Sequence, residues 1–207
     1  MPVAEDVYSK CDNLDNIPSL MRDNYLRETE LLVGLLPQNS SILQVGSMDG
    51  ERIIRLLKLR PDLKVTGLEI EEFFVKVANQ KMAKTDFKAE FILGDITNPP
   101  SLPTFDYVIC LNNTLGYIPD EQKALVGMKS LGSKKIIVSV YGESFTDELA
   151  KQYFISIGLE IDHIQDDVFV MKDFSSIKRY RAEDVEKWGR NVAETAVGYF
   201  CVIDSPK

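Results

Sequence analysis

Four groups of residues in this chain have the types and spacing to do chemistry, and each falls where an apolar run gives way to a polar turn. The first is Gly46-Ser47-Met48-Asp49-Gly50, after the run ILQV. Glycines bracketing a strand-to-helix turn let a ligand approach the backbone, and the start of the helix offers N–H donors. The second is Glu69, one helix and one strand later, where a carboxylate can accept paired hydrogen bonds from the two hydroxyls of a ribose. The third is Gly94-Asp95-Ile96. The acid there can accept from an exocyclic amine, and the next backbone N–H can donate to a ring nitrogen. The fourth is Asn112-Asn113-Thr114, amides and a hydroxyl leaving the very apolar run YVICL. Such groups need partners, and a substrate would supply them. Each group also has a plain reading: a packing glycine, a solvated acid, an aspartate capping a turn, ordinary Asn turn chemistry. The combination weighs more than any member, because one nucleoside could touch the first three together.

The elements that would position these residues follow from periodicity. Ile17, Leu20, Met21, Leu31, Leu32 and Leu35 recur at helical spacing and predict a helix over 17–36, stopped by Pro37. Asn24 and Glu28 fall on its apolar stripe, either as solvated edges or as polar groups offered to a ligand. Strands are predicted over 41–45, 64–69, 89–95, 105–111 and 134–142, and helices over 51–60, 71–82, 121–132 and 145–158, the last closed by a left-handed Gly158. Beyond Leu159, a hairpin turning near Asp166 and Asp167 precedes a helix over 181–190 and a strand over 196–204. The alternation predicts an α/β fold, a mostly parallel sheet with helices on both faces and an antiparallel C-terminal edge. In such sheets ligands bind beyond the carboxyl ends of the strands, which is where the four groups stand.

Composition narrows the function. With 207 residues, the chain is expected to form one domain, residues 1–37 a helical cap and 38–207 the core. A net charge of −8 argues against nucleic-acid and anionic-membrane partners. Cys11, Cys110 and Cys201 lie far apart and His163 is the sole histidine, so neither a metal site nor a disulfide framework is expected, and a reducing, cytoplasmic setting is. The start, MPVAED, has no leader pattern and no segment approaches a membrane span. Cys110 is expected as a small buried hydrophobe, Trp188 as core, and His163 without a role.

With those residues in place, the chain resembles the class I S-adenosylmethionine-dependent methyltransferases of the small-molecule type, from Ser41 to the last strand. QVGSMDG stands where that family has its acidic-x-Gly-x-Gly-x-Gly loop. Glu69 in GLEI matches its ribose-binding acid and Asp95 in LGDI its adenine-binding acid. FDYVICLNNTLGYIPD is similar to the fourth motif of glycine and related small-amine N-methyltransferases, in which the residue matching Asn113 holds the substrate. The resemblance implies a Rossmann-like fold and S-adenosyl-L-methionine held by Gln44, Gly46, Ser47, Met48, Gly50, Glu69, Ile70, Asp95, Ile96 and Asn112. On the acceptor side it implies a small molecule, an amine among the candidates, beside Asn113 and Tyr117. Methyl transfer from a sulfonium is an in-line displacement with a neutral leaving group, so orientation supplies most of the catalysis. An amine must lose a proton to attack. Tyr117 or Tyr180 is a candidate acceptor and Asp106 a weaker one, although packing explains Tyr117 equally well. Lys178, Arg179 and Arg181 fit a solvated basic turn better than an acid-binding one. Two departures, Gln44 for the opening acid and Met48 for the second glycine, keep open a non-catalytic ligand-binding protein of the same fold. A nicotinamide dehydrogenase needs G-x-G-x-x-G, which GSMDGE does not supply. A nucleic-acid methyltransferase is disfavoured by charge.

Overall fold

The computed structural model describes residues 14–173, 175–189 and 191–204; Cys11 lies outside them. Helix α1 (Ser19–Leu35) precedes the alternation β1 (Ser41–Val45), α2 (Glu51–Leu59), β2 (Lys64–Glu69), α3 (Glu72–Met82), β3 (Ala89–Leu93), β4 (Phe105–Cys110). A 3-10 turn at Thr114–Tyr117 leads to α4 (Glu121–Leu131), β5 (Gly132–Tyr141) and α5 (Asp147–Ser156). The chain continues as β6 (Ile161–Gln165), β7 (Val168–Met171), β8 (Ser176–Lys178), α6 (Ala182–Glu186), β9 (Asn191–Glu194) and β10 (Gly198–Asp204).

Seven strands form one sheet in the order β3-β2-β1-β4-β5-β10-β9. Strands β1 to β5 pair in parallel. Strand β10 runs antiparallel to both β5 and β9. The order reverses between β1 and β4, and a sheet of this kind opens its binding crevice at that point. The inner strands are mainly apolar because both faces are covered. Ile42, Tyr107, Ile109 and Ile137 face α1, α2 and α3, whereas Leu43, Val108, Cys110, Ile136 and Val138 face α4 and α6. Burial pushes the Cys110 thiol up to about 12, so it stays protonated as a small hydrophobe. A third cluster, with Met21, Tyr141, Phe145, Phe154, Phe169 and Ile177, joins α1, α5 and the small sheet.

The C-terminal part agrees with expectation in its turns and differs in its sheets. Asp166 and Asp167 make a two-residue hairpin turn with φ of 47° and 63°, and Gly158 closes α5 at φ 85°. The hairpin joins β8 in a separate sheet, ordered β6-β7-β8, and not the edge of the main one. The main sheet's edge is β9, which was not expected. The helix predicted over 181–190 ends at Glu186. Strands of three and four residues, such as β8 and β9, are too short to carry a period of two, so pairing and not pattern defines them.

Candidate active site

The turn after β1 is built on left-handed backbone at Gly46 (φ 66°), Met48 (φ 46°) and Gly50 (φ 79°). At Gly46 a Cβ would collide with the Thr114 side chain, whose Oγ1 would lie 2.9 Å away. The glycine therefore brings the β1 turn against the β4 loop, besides permitting its conformation. Of the N–H donors expected here, those of Gly46, Ser47, Met48, Gly50 and Glu51 are engaged within the protein. Gly46 and Ser47 donate to the Leu68 carbonyl at 2.9 and 3.3 Å, and Gly50 donates to the Ser47 carbonyl at 3.0 Å. Met48 N–H donates to Glu69 Oε2 at 2.8 Å and Glu51 N–H to Asp49 Oδ1 at 3.2 Å. With these donors engaged, the turn is a poor phosphate cradle. It offers backbone approach and carbonyl acceptors, which suit an uncharged or cationic group. Ser47 is 2% exposed and its hydroxyl has no hydrogen-bond partner, so it faces the fold.

Glu69 stands next to this turn, 6% exposed. Its Oε1 accepts from the backbone of Ile70 at 2.9 Å and Glu71 at 3.2 Å. Burial raises its pKa, only partly offset by the N–H groups of Met48, Glu71 and Ile70. A carboxylate has about four acceptor positions, so with three N–H partners it can take a ribose diol only by sharing. Ile70 projects outward beside it, 62% exposed. Asp95 accepts from Thr97 N–H and Thr97 Oγ1, both at 2.8 Å, which is the turn cap its position permits. The Ile96 side chain is buried in the core next to α4, and the Gln44 side chain is buried within β1.

The β4 loop begins with two successive left-handed residues, Asn112 (φ 50°) and Asn113 (φ 60°). Asn113 is fully buried. Its Nδ2 donates to the Lys178 carbonyl at 3.0 Å, and its Oδ1 accepts from Tyr141 N–H at 3.1 Å. This amide clips the β4 loop to β5 and β8 instead of facing open space. Asn112 is half-buried. Its amide reaches the hydroxyls of Tyr25 at 3.5 Å and Tyr141 at 3.4 Å. Tyr117, 41% exposed, ends the 3-10 turn over this region. The polar stripe of α1 faces inward. Glu28, 2% exposed, accepts from Asn24 Nδ2 at 3.0 Å, Ser139 Oγ at 2.7 Å and Arg52 Nη1 at 3.1 Å. The Arg52 guanidinium lies 3.4 Å over the Tyr25 ring centroid. Neither expected role of Asn24 and Glu28, solvated edge or ligand contact, describes this arrangement.

Other expected residues lie apart. Asp106 opens β4 at the opposite end of the sheet, bonded to Ser41 and Lys134. Tyr180 is buried against Trp188, and burial carries its phenol far up, so it is no proton acceptor. Lys178, Arg179 and Arg181 are paired with Glu121, with Asp147 and Asp167, and with Asp167, respectively. His163 is exposed beside Asp162. Sequence reasoning missed Arg52 and Ser139 as members of this region, whereas Thr114 belongs to the polar group it singled out. For Ser139 a signal existed, a lone hydroxyl inside the apolar run IIVSV. Among the described residues, no cluster of three or more His, Cys, Asp or Glu is placed to hold a metal ion, and no helix is long and apolar enough to cross a membrane.

A sheet of this order with a glycine turn and a strand-end acid at its switch point defines a class of protein that comparison with known proteins makes specific. Residues 36–194 match a methyltransferase-domain family, so the chain belongs to that family, whose fold is Rossmann-like and whose cofactor is S-adenosyl-L-methionine. A carboxy-S-adenosyl-L-methionine synthase from Campylobacter hominis is 35% identical over 103 residues, covering 45% of this chain and 42% of that protein. The chain therefore spans less than half the length of that curated relative. Among solved structures, the PH0226 protein of Pyrococcus horikoshii superposes with a TM-score of 0.69 at 18% identity, over 87% of this chain and 89% of that one. CalS10 of Micromonospora echinaspora, an amino pentose methyltransferase, superposes with a TM-score of 0.66 at 14% identity, over 100% and 99%.

Proposed function

We propose that this chain transfers a methyl group from S-adenosyl-L-methionine to a small-molecule acceptor beyond the ends of β4 and β5. The observation that carries this reading is the pairing of the β1 turn with Glu69. Most of the turn's own N–H groups are engaged, which disfavours a dinucleotide pyrophosphate, while beside it at the end of β2 a buried carboxylate keeps one acceptor position that would serve a ribose hydroxyl. Gly46, Met48 and Gly50 would line the approach, with Gln44 toward the amino-acid end and Ile70, Asp95 and the Ile96 backbone toward the adenine. Asn112 would face the sulfur. The cofactor supplies an electrophilic methyl on a sulfonium; the protein supplies alignment, which is worth about 7–11 kcal/mol when complete. Tyr117 is the exposed phenol placed to accept a hydrogen bond from an acceptor's N–H or O–H. Calorimetry with S-adenosylhomocysteine tests the first half, and a dissociation constant in the micromolar range is expected. Labelled cofactor turned over with amines, phenols and thiols tests the second. Mass spectrometry of the cofactor belongs in that panel, since the curated relative is named for a carboxylated form of it. No binding of S-adenosylhomocysteine, the demethylated cofactor, would sink the reading; binding without turnover would favour a non-catalytic ligand binder.

A further inference from the structure

The loop that leaves β4 holds two consecutive non-glycine residues in left-handed backbone, a conformation that costs free energy and persists only where surroundings fix it. The side chains of both are held by Tyr25, Tyr141 and Lys178, and their backbone N–H groups by one residue of β5. Ser139 Oγ accepts from Asn112 N–H at 2.7 Å, and the Ser139 carbonyl accepts from Asn113 N–H at 2.9 Å. The same hydroxyl donates its proton to Glu28 Oε1 at 2.7 Å, so its lone pairs are turned toward Asn112. Glu28 is itself held by Asn24 and by Arg52, which stands in the first turn of α2, just past the glycine turn. Arg52, Glu28, Ser139 and Asn112 thus form a continuous path, buried at Glu28 and Ser139, from the turn after β1 to the loop after β4. We infer that Glu28 is a positioning residue: through Ser139 it sets the backbone of Asn112 and Asn113, and thereby the part of the site that faces the acceptor.

Stability alone does not account for such a path. A buried ion pair is often no better than apolar residues of the same volume. Here it leaves Asn24 Oδ1 buried and without a partner, on a residue 1% exposed. It also places a carboxylate on the inner stripe of a helix otherwise held by Leu32 and Met21. What the charge achieves is geometric. An ionised carboxylate can only accept, so the Ser139 proton has one destination and the hydroxyl rotor is fixed. The inference rests on the methyltransferase reading only for its consequence; the conformation of the loop is a property of the free protein.

The test compares Glu28→Met, which removes the acceptor, with Glu28→Gln, which keeps one, and with Leu32→Ala, which cuts a cavity one turn along the same helix without touching the path. Amide hydrogen exchange is measured in the free protein, scaling Asn112 and Asn113 to Val108–Cys110 of β4. Glu28→Met should accelerate the two loop amides at least about tenfold relative to the strand, the size expected for losing one buried hydrogen bond, while Glu28→Gln restores most of the protection. Leu32→Ala should leave the ratio unchanged however far it lowers the melting temperature. An unchanged ratio in Glu28→Met, or an equal change in Leu32→Ala, overturns the inference. If Glu28→Met does not fold, Glu28→Ala makes the same comparison with Glu28→Gln. Calorimetry with S-adenosylhomocysteine follows: Glu28→Met should weaken binding about tenfold and Leu32→Ala less than about twofold. Failure of the unmutated protein to bind would count against methyl transfer and leave the exchange ratio to decide the positioning role.

Discussion

At the scale of single residues, Glu69 and Asn113 show how a side chain can be well placed and yet already engaged. Burial raises the pKa of Glu69, so its ionised form is disfavoured in the fold. The sign follows: its contribution to stability is fully present below the ordinary glutamate pKa and is lost as pH rises through the raised one. Ligand affinity runs the other way, because only the carboxylate accepts from both ribose hydroxyls. S-adenosylhomocysteine should bind more weakly as pH falls from neutral toward the raised pKa. Glu69→Gln should weaken binding about tenfold to a hundredfold at neutral pH and abolish that pH dependence. Calorimetry at several pH values would show it, and a pH dependence that survives the substitution would remove Glu69 from the site. Asn113→Ala would strand the Tyr141 N–H and the Lys178 carbonyl in a buried place, so it should cost about 1–3 kcal/mol of stability in denaturant melts. A loss of turnover in that variant with unchanged stability would instead return Asn113 to direct substrate contact.

At the scale of elements, the β1 turn and the β4 loop behave as one unit, because Gly46 and Thr114 cannot both carry their full volume at the contact. Gly46→Ala places a Cβ against Thr114 on left-handed backbone, and about 1–2 kcal/mol is expected from the backbone alone. Thr114→Ser removes the methyl that collides and keeps the hydroxyl that bonds the Leu111 carbonyl. The double variant should therefore recover part of the loss, and strict additivity would show that the two segments are not coupled. At the far end of the sheet, Asp106 binds Ser41 and Lys134, and these partners hold its carboxyl down at about 2. A depressed acid stabilises the fold above the ordinary aspartate pKa and loses that effect as pH falls toward 2, so Asp106→Asn should flatten acid unfolding in that window. The parallel strands and their helices were legible because buried strands are apolar runs and covering helices repeat every three to four residues. The glycine turn, Glu69 and Asp95 were legible as positions. What each side chain does was not, because Asn113, Glu28 and Ser139 take their partners from segments distant in sequence, and no local spacing encodes those pairings.

At the scale of the whole molecule, two sheets share one body through α1 and the aromatic cluster around Phe145. Arg179 fastens the small sheet to α5 and the segment before it, bonding Asp167 of the hairpin turn, Asp147 of α5 and the Phe145 carbonyl. Arg179→Ala should therefore loosen β6, β7 and β8 ahead of the main sheet, seen as faster amide exchange confined to 161–178; uniform loosening across the molecule would argue against a local fastening. The sheet order has a further consequence. Strand β10 lies between β5 and β9, yet it is translated after both, so β5 meets its partner only when residues near Asp204 have left the ribosome. Until then β5, among the most apolar strands of the molecule, exposes an unpaired edge of the sort that recruits other chains. Synthesis of this protein thus contains a waiting interval, set by elongation from Tyr141 to Asp204, during which that edge stays open.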